Sequence, residues 1–285
     1  MNIQWFPGHM AKTRRLIGEH MNLVDLVVEL LDARAPLSSQ NPDIDNLCGN
    51  KPRLLILNKS DLADSAANEA WLRYYKAQGK TAILFDSVHS KQVKHITETV
   101  RSLLSEQIER QAARGMKNRP LKLMIVGIPN VGKSSFINRL AGRSAAISGD
   151  RPGVTRGKQW IRLAGGLELL DTPGVLWPKF EDEQVGLRLA FTGAIKDEIM
   201  DTETLAAKLL ETLCHCAPQD IASRYKLDSV QFDNGFLALE AVAKKRGFIV
   251  SGGEYDLLRA ANVVLDEFRS AKIGRITLEW PEVAQ

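Results

Sequence analysis

Short apolar runs alternate with amphipathic segments along most of the first 180 residues. The runs predict strands at Leu26–Leu31, Arg53–Leu57, Thr81–Phe85, Leu121–Val126 and Leu167–Leu170. Between them, apolar residues at helical spacing predict helices that include Glu69–Gln78, Lys91–Arg110 and Lys133–Leu140. Strands that alternate with helices are typical of a mainly parallel sheet with helices on both faces. The pattern therefore predicts an α/β fold of the nucleotide-binding type.

The pattern changes beyond residue 178. Apolar spacing is helical from Thr202 to Ala271, and only Gly274–Trp280 could be extended. A basic stretch at 111–120 contains Gly and Pro and is typical of a linker. We therefore predict a nucleotide-binding domain over 1–178, made of halves 1–110 and 121–178 joined by the linker 111–120, then a connector over 179–203 and a smaller, mostly helical domain over 204–285.

Composition adds limits on location and partners. The chain has 285 residues, of which 44% are hydrophobic and 25% charged, as in ordinary globular proteins. No run approaches the roughly 20 apolar residues of a membrane span, so we expect no membrane partner. Three cysteines are a sparse, odd set that favours a reducing compartment, and we expect a cytoplasmic protein. The net charge of +4 permits a nucleic-acid partner without demanding one.

The segment GIPNVGKSS, from Gly127 to Ser135, has the G-x-x-x-x-G-K-S spacing of a P-loop and follows a predicted strand. Backbone N–H groups of such a loop surround phosphates, the Lys133 ammonium reaches the terminal phosphates, and the Ser134 hydroxyl ligates Mg²⁺. We predict that the nucleotide contacts are made by Asn130, Val131, Gly132, Lys133, Ser134 and Ser135.

The tetrapeptide NKSD comprises Asn58, Lys59, Ser60 and Asp61 and directly follows the strand that begins at Arg53. The Asp61 carboxylate can accept both the ring N–H and the exocyclic amine of guanine, which adenine does not offer as a pair. Alone, the tetrapeptide could be a strand-end turn. Beside a P-loop, it predicts that the nucleotide is GTP or GDP.

Two more segments complete a GTPase motif set. DTPG ends another strand and predicts that Asp171 holds Mg²⁺ through water and that the Gly174 amide meets the γ-phosphate. Thr155 is the candidate switch threonine that closes on Mg²⁺, although it could also be a loop residue without a role. Ser87 and Val88, which follow the strand ending at Phe85, match the weaker motif whose backbone contacts guanine O6.

The order of these motifs is rotated. A conventional GTPase runs from the P-loop through DxxG to NKxD, whereas here NKSD comes first and the P-loop follows at Gly127. The sequence is therefore circularly permuted, and the loop after DTPG leads towards the helical domain. We expect nucleotide state to be read out as a movement of that domain.

The motifs together resemble the circularly permuted GTPases of the YlqF/RbgA family. The segments that carry the resemblance are WFPGHM, DAR-P, NKSD, GIPNVGKSS, GDRPGVT and LLDTPGVLWPKFED. The resemblance implies a cytoplasmic GTP hydrolase that acts in assembly of the large (50S) ribosomal subunit. It further implies stimulation by ribosomal particles, contact of the helical domain with ribosomal RNA (rRNA), and a monomer off the ribosome. Two alternatives stay open, namely a GTP-gated RNA-binding scaffold with incidental hydrolysis and a GTPase that acts on tRNA.

The catalytic residue is not evident from the motifs alone. Many GTPases orient the attacking water with a Gln after DxxG, but this chain has Val175 there. The candidates are His9, a basic group from the partner, and K⁺ bound by Asn130, which matches the K⁺-coordinating asparagine of related GTPases. A catalytic His9 is what the resemblance implies, and a structural histidine packed beside Trp5 is the alternative.

RNA contact is not favoured by the overall charge of the helical domain. Residues 205–285 contain ten Lys or Arg and eleven Asp or Glu, a net of −1. We expect contact either through local clusters, Lys244–Arg246 and Arg269–Lys272–Arg275, or shared with the basic stretch 143–162.

Overall fold

The computed structural model describes residues 8–86, 92–116, 119–142, 160–163, 165–172, 174, 180, 182–195 and 201–282, with side chains from Arg15 onward. The strands are β1 Leu26–Asp32, β2 Arg53–Asn58, β3 Thr81–Phe85, β4 Leu121–Gly127, β5 Trp160–Leu163 and β6 Leu167–Leu170. The helices are α1 Gly8–Met21, α2 Pro42–Cys48, α3 Ser65–Ala77, α4 Val93–Leu103, α5 Ser105–Ala113, α6 Lys133–Ala141, α7 Glu183–Phe191, α8 Thr202–Cys216, α9 Pro218–Tyr225, α10 Gly235–Arg246 and α11 Leu257–Arg269.

The six strands form one sheet in the order β3-β2-β1-β4-β6-β5. All neighbouring pairs are parallel except β5 and β6, which are antiparallel at the sheet edge. Parallel strands place their carboxyl ends at one edge, where loops bind ligands in open α/β sheets. The ends of β1, β2, β4 and β6 carry DAR-P, NKSD, the P-loop and DTPG, so the topology gathers these motifs at that edge.

Helices cover both faces of the sheet because the central strands are apolar on both sides. Every residue of β1 is buried. On one face of the sheet, Leu26, Val28 and Leu30 pack with α4 and α6. On the other face, Val27 packs with α1 and α2, and Leu31 packs with α3. The predicted α/β fold with helices on both faces is confirmed, and two of the strand predictions agree with the structure to the residue.

The helices beyond residue 182 pack around α8. This helix contacts α7, α9, α10 and α11, and buries Leu205, Leu209 and Leu213 along one side. Helix α7 lies inside the range predicted as a connector and contacts both α8 and α11. The domain limits themselves stay a prediction.

Two local predictions differ from the structure. The single helix predicted over 91–110 is two helices, because α4 ends at Leu103 and α5 starts at Ser105, and the residue between them, Leu104, is buried. Strand β5 was not predicted, since it has only four residues and alternates at a sheet edge, with Arg162 exposed. The segment 274–280 forms neither a helix nor a strand.

Among the described helices, none has the length and apolar character needed to cross a membrane.

Candidate GTP-binding site

The P-loop leaves β4 at Gly127 and enters α6 at Lys133, so the helix N-terminus faces the loop. Gly132 has φ of 97°, a left-handed conformation that favours glycine and turns the chain into the helix. The Lys133 Nζ donates to the Gly127 carbonyl at 3.1 Å and to the Ile128 carbonyl at 2.8 Å. The ammonium therefore lies inside the loop, where a helix N-terminus favours a phosphate.

Burial makes the charge of Lys133 costly in this position. It lowers the Lys133 pKa from 10.5 to about 8, although the nearby Asp171 carboxylate acts in the opposite direction. Burial likewise raises the pKa of Asp171, while Lys133 and the Thr172 N–H lower it. A phosphate beside Lys133 would stabilise the charged ammonium, so the site favours an anionic ligand.

The NKSD loop is bonded directly to the P-loop. The Asn58 amide, which is buried, donates to the Val131 carbonyl at 2.7 Å. The Lys59 Nζ donates to the Asn130 carbonyl at 2.8 Å, and Lys59 itself has φ of 58°. These bonds bring two predicted sets of site residues together across about 70 residues of sequence.

A buried cluster of charged side chains fixes the position of Lys59. Asp32 Oδ2 accepts from Lys59 Nζ at 3.0 Å and from Arg34 Nη2 at 2.8 Å, and Asp32 Oδ1 accepts from Arg34 Nε at 2.9 Å. Burial by itself would raise the Asp32 pKa, but the two cations hold it well below its ordinary value. Asp32 therefore stays a carboxylate that orients Lys59 towards the P-loop.

Gly174 of DTPG approaches the P-loop closely. A Cβ at this position would lie 2.9 Å from the Cα and N of Pro129 and 3.0 Å from Lys133 Nζ. No side chain larger than hydrogen fits there without a shift of the P-loop backbone. Gly174 thus lies beside the P-loop and the ammonium of Lys133.

The donors near this point fit Mg²⁺ in a nucleotide complex. Ser134 lies in the first turn of α6, and Asp171 follows β6, the strand adjacent to β4. Hydroxyl, carboxylate and phosphate oxygens suit this hard cation, which is usually bound with substrate phosphates. Within the described part of the chain, no group of three or more His, Cys, Asp or Glu side chains could hold a metal ion. The residues therefore fit Mg²⁺ only as shared ligands with a bound nucleotide.

Asn130 links the P-loop to the helical region. Its Nδ2 donates to the Gly193 carbonyl at 2.9 Å, in the turn that follows α7. Arg269 of α11 bonds the carbonyls of Phe191 and Ala190, and its own carbonyl accepts from Arg34 Nη1 at 3.2 Å. Arg269 is thus engaged with main-chain groups of this chain rather than standing in an isolated basic cluster.

Several predicted site residues lie outside the described residues. Gly8 begins α1, so the backbone of His9 is in the first turn of that helix, but its side chain is outside the described set. Ser87, Val88 and Thr155 also lie outside the described residues. Ser135 is exposed on α6, and Ser60 and Asp61 are half-buried in the turn after β2.

Sequence reasoning did not assign a role to Asp32 or Arg34. Arg275 was expected in an RNA-contacting basic cluster, but its guanidinium donates to the carbonyls of Ser60, within NKSD, and Ala63, which lies two residues after it. For Asp32 a signal was present, because a charged Asp-x-Arg pair begins at the last residue of a fully buried strand, at the ligand-binding edge. For Arg275 no local pattern pointed to this contact.

Comparisons with known proteins agree with this geometry. The family described as "50S ribosome-binding GTPase" matches residues 122–223. Ribosome biogenesis GTPase A of Priestia megaterium is 49% identical over 286 residues, which cover 100% of this chain and 99% of that protein.

Two solved structures have the same fold over nearly the whole chain. GDP-bound TM YlqF is 29% identical, with a TM-score of 0.69 and coverage of 94% of this chain and 100% of that one. GNP-bound YlqF from Thermotoga maritima is 28% identical, with a TM-score of 0.68 and coverage of 95% and 99%. With a full-length relative at this identity and a matching nucleotide site, the chain belongs to the ribosome biogenesis GTPase A family.

Proposed function

We propose that this GTPase acts in the cytoplasm as an assembly factor for the large ribosomal subunit, and that it is a monomer off the ribosome. The observation that carries the proposal is full-length similarity to a ribosome biogenesis GTPase, joined to a GTPase match described as 50S ribosome-binding. The P-loop and NKSD loop, joined by hydrogen bonds, supply the nucleotide site that such a role needs.

Nucleotide recognition is divided between two loops. Asp61 accepts the two guanine donors, with the backbone near Ser87 and Val88 at guanine O6, while the P-loop amides and Lys133 bind the phosphates. The bonds from Asn58 and Lys59 to the P-loop hold the two halves in register. Phosphate charge would return the Lys133 pKa towards its ordinary value, so binding stabilises the cation that burial disfavours.

Mg²⁺ would be held by Ser134, Thr155 and, through water, Asp171, and it neutralises charge on the phosphate oxygens when bound. Thr155 would close on the site only when the γ-phosphate is present, while the Gly174 amide meets that phosphate. Since Gly174 lies against the P-loop, loss of the phosphate would release DTPG and the chain that follows it.

The attacking water must be oriented by a polar group, and Val175, which takes the place of the usual Gln, has none. We propose His9, which is carried by the first turn of α1, as the residue that orients this water once the ribosomal particle reorders the segment before α1. Bound K⁺ at Asn130 is the second contributor, and it requires that the side chain turn from Gly193 towards the phosphates.

Contact with rRNA would be shared between the helical region and the basic stretch 143–162. Several basic side chains of the helical region are engaged within it, since Arg224 and Arg246 pair with Glu267, and Lys245 pairs with Asp228. Exposed apolar side chains lie near the end of α10 and the start of α11, at Ile249, Val250 and Leu258. A surface of this kind is suited to contact with a large partner.

The test is steady-state GTP hydrolysis with and without large-subunit particles, in K⁺ and in Na⁺. We expect stimulation by large-subunit precursors and no stimulation by small subunits or tRNA. A rate unchanged by particles would favour a GTP-gated RNA-binding scaffold. Stimulation by tRNA alone would favour a GTPase that acts on tRNA. Co-sedimentation with GTP or GDP measures particle binding separately.

The role of His9 is tested by His9→Ala. We expect normal GTP binding and particle binding but loss of particle-stimulated turnover. His95→Ala, which removes an exposed histidine from α4, is the matched control and should leave turnover unchanged. Persistent turnover in His9→Ala would return His9 to a structural role.

A further inference from the structure

The C-terminal segment Ile273–Trp280, here called the strap, leaves the helical region and lies on the nucleotide-binding domain. The Leu278 N–H donates to the Arg34 carbonyl at 2.7 Å, and Trp71 Nε1 of α3 donates to the Glu279 carbonyl at 3.0 Å. The side chains of Ile276, Thr277 and Glu279 are buried. The strap is therefore a packed part of the core and not a trailing terminus.

The far end of the strap is clamped by Glu279. Its Oε1 accepts from the Ser38 N–H at 2.8 Å, and its Oε2 accepts from Ser38 Oγ at 2.8 Å and from Arg188 Nη1 at 3.2 Å. Three donors on one buried carboxylate define its place tightly. Because Arg188 belongs to α7, this clamp joins the strap to the helical region as well as to the DAR-P turn.

The near end of the strap contacts the guanine-recognition loop. Arg275 Nη2 donates to the Ser60 carbonyl at 3.2 Å, and Arg275 Nε donates to the Ala63 carbonyl at 3.1 Å. Thr277 Oγ1 accepts from the N–H of Asp64, the residue that caps α3, at 3.1 Å. One guanidinium thus bridges the main chain before and after Asp61.

These bonds act on the peptide units that set the direction of Asp61. The Ser60 carbonyl belongs to the peptide bond that joins Ser60 to Asp61, so its fixation restricts rotation there. Asn68 Nδ2 donates to the same carbonyl at 2.9 Å, and the Ser60 N–H donates to the Phe85 carbonyl at 3.2 Å. The loop is held by α3 and β3 on one side and by the strap on the other.

We propose that Arg275 is a positioning residue for guanine recognition, which acts by holding the loop that carries Asp61. The inference rests on the proposed role of Asp61 as the guanine acceptor. Two parallel hydrogen bonds to one carboxylate demand a defined carboxylate direction, whereas the phosphates are contacted by the P-loop and not by the Asp61 side chain. Because the strap follows α11 directly in the chain, a partner that moves the helical region would also change affinity for guanine nucleotides.

Comparison of GDP with IDP separates base recognition from phosphate binding. Hypoxanthine keeps the ring N–H but lacks the exocyclic amine, so IDP can form only one of the two bonds to Asp61. The preference of the protein for GDP over IDP therefore reports how well Asp61 is placed. Diphosphates avoid turnover during the measurement.

The experiment measures dissociation constants of the full chain for GDP and IDP by calorimetry. We expect Arg275→Ala to weaken GDP binding about tenfold and IDP binding less than threefold. The reason is that a displaced Asp61 carboxylate loses the hydrogen bond from the exocyclic amine, which only GDP has, and a hydrogen bond to a charged group is worth about this much. Arg275→Lys keeps a donor and should recover part of the GDP affinity. Lys272→Ala, which removes a nearby exposed positive charge, is the control and should leave both constants unchanged.

Equal loss of GDP and IDP affinity, or no loss of either, would overturn the proposal. Thr277→Val removes the bond to the Asp64 N–H and gives a second, milder perturbation of the same contact, with the same expected direction. Asp61→Ala separates the two levels of the argument. If Asp61→Ala abolishes the preference for GDP but Arg275→Ala retains it, only the role of Arg275 fails. If the unmodified protein does not prefer GDP, the role of Asp61 fails as well.

Discussion

Arg34 is the residue whose removal tests the link between the nucleotide site and the helical region. Its side chain is 1% exposed, and it makes two bonds to Asp32 and one to the Arg269 carbonyl. The guanidinium also lies 5.5 Å from the ring centre of Phe268. Arg34→Met removes the charge and the donors but keeps an unbranched apolar side chain in the space.

The expected cost follows from what remains around Asp32. Removal of one partner of a buried ion pair typically costs about 3–5 kcal/mol, because the other charge is left uncompensated. Here Lys59 stays 3.0 Å from Asp32, so we expect the lower end, about 3 kcal/mol. For a chain of this size, this corresponds to a fall in Tm of roughly 5 °C.

The assay is urea unfolding of Arg34→Met beside Arg73→Ala, which removes one member of an exposed pair with Glu69. That pair is 3.9 Å apart and more than 70% exposed, so its loss should cost less than about 0.5 kcal/mol. The gap between Arg34→Met and the unmodified protein should also narrow below pH 4. The cations lower the folded-state pKa of Asp32, so their contribution is complete above its unfolded value and is lost on acidification. A loss below about 1 kcal/mol for Arg34→Met, or an equal loss for Arg73→Ala, would refute the reasoning.

Three further predictions concern the nucleotide loops. Because burial lowers the Lys133 pKa to about 8 and a bound phosphate raises it, GDP binding should take up protons, and more of them at pH 8.5 than at pH 7.5; calorimetry in buffers of different ionisation enthalpy measures this, and uptake that does not rise with pH would contradict it. Gly174→Ala places a Cβ 2.9 Å from P-loop backbone atoms, so particle-stimulated hydrolysis should fall at least about tenfold in single-turnover assays; an unchanged rate would show that the close approach is not needed. Asn58→Ala removes the bond to the Val131 carbonyl and should weaken GDP binding about tenfold, whereas Asn262→Ala, which removes an exposed bond within α11, should not; equal affinities for the two variants would contradict a bracing role.

The positions of the main motifs could be predicted from sequence because each follows the end of a buried strand. The apolar runs that end near Leu31, Leu57, Val126 and Leu170 were apparent without coordinates, and parallel strands bring such ends to one edge. Helix and strand edges were less predictable. Strand β5 is too short and too exposed for its alternation of apolar and polar residues to be recognised in the sequence. The break between α4 and α5 depends on how the Leu104 side chain packs into the core.

Contacts between distant parts of the chain could not be predicted in this way. Arg34 and the Arg269 carbonyl are 235 positions apart, and Arg275 and the Ser60 carbonyl are 215 apart. In the sequence, Arg269 and Arg275 look like members of a solvent-facing basic cluster. Local spacing shows which residues are charged, but it does not show which distant residues their side chains contact.

The sequence by itself determined the α/β class, the permuted order of the motifs and the GTPase chemistry, because these follow from strand periodicity and from residues that adjoin one another in the chain. Only the tertiary structure decided that Asp32 orients Lys59, that Asn130 contacts the turn after α7, and that the strap reaches the NKSD loop. The physical reason is that a side chain's hydrogen-bond partners depend on how separate elements pack, and that packing is a property of the whole fold rather than of any segment.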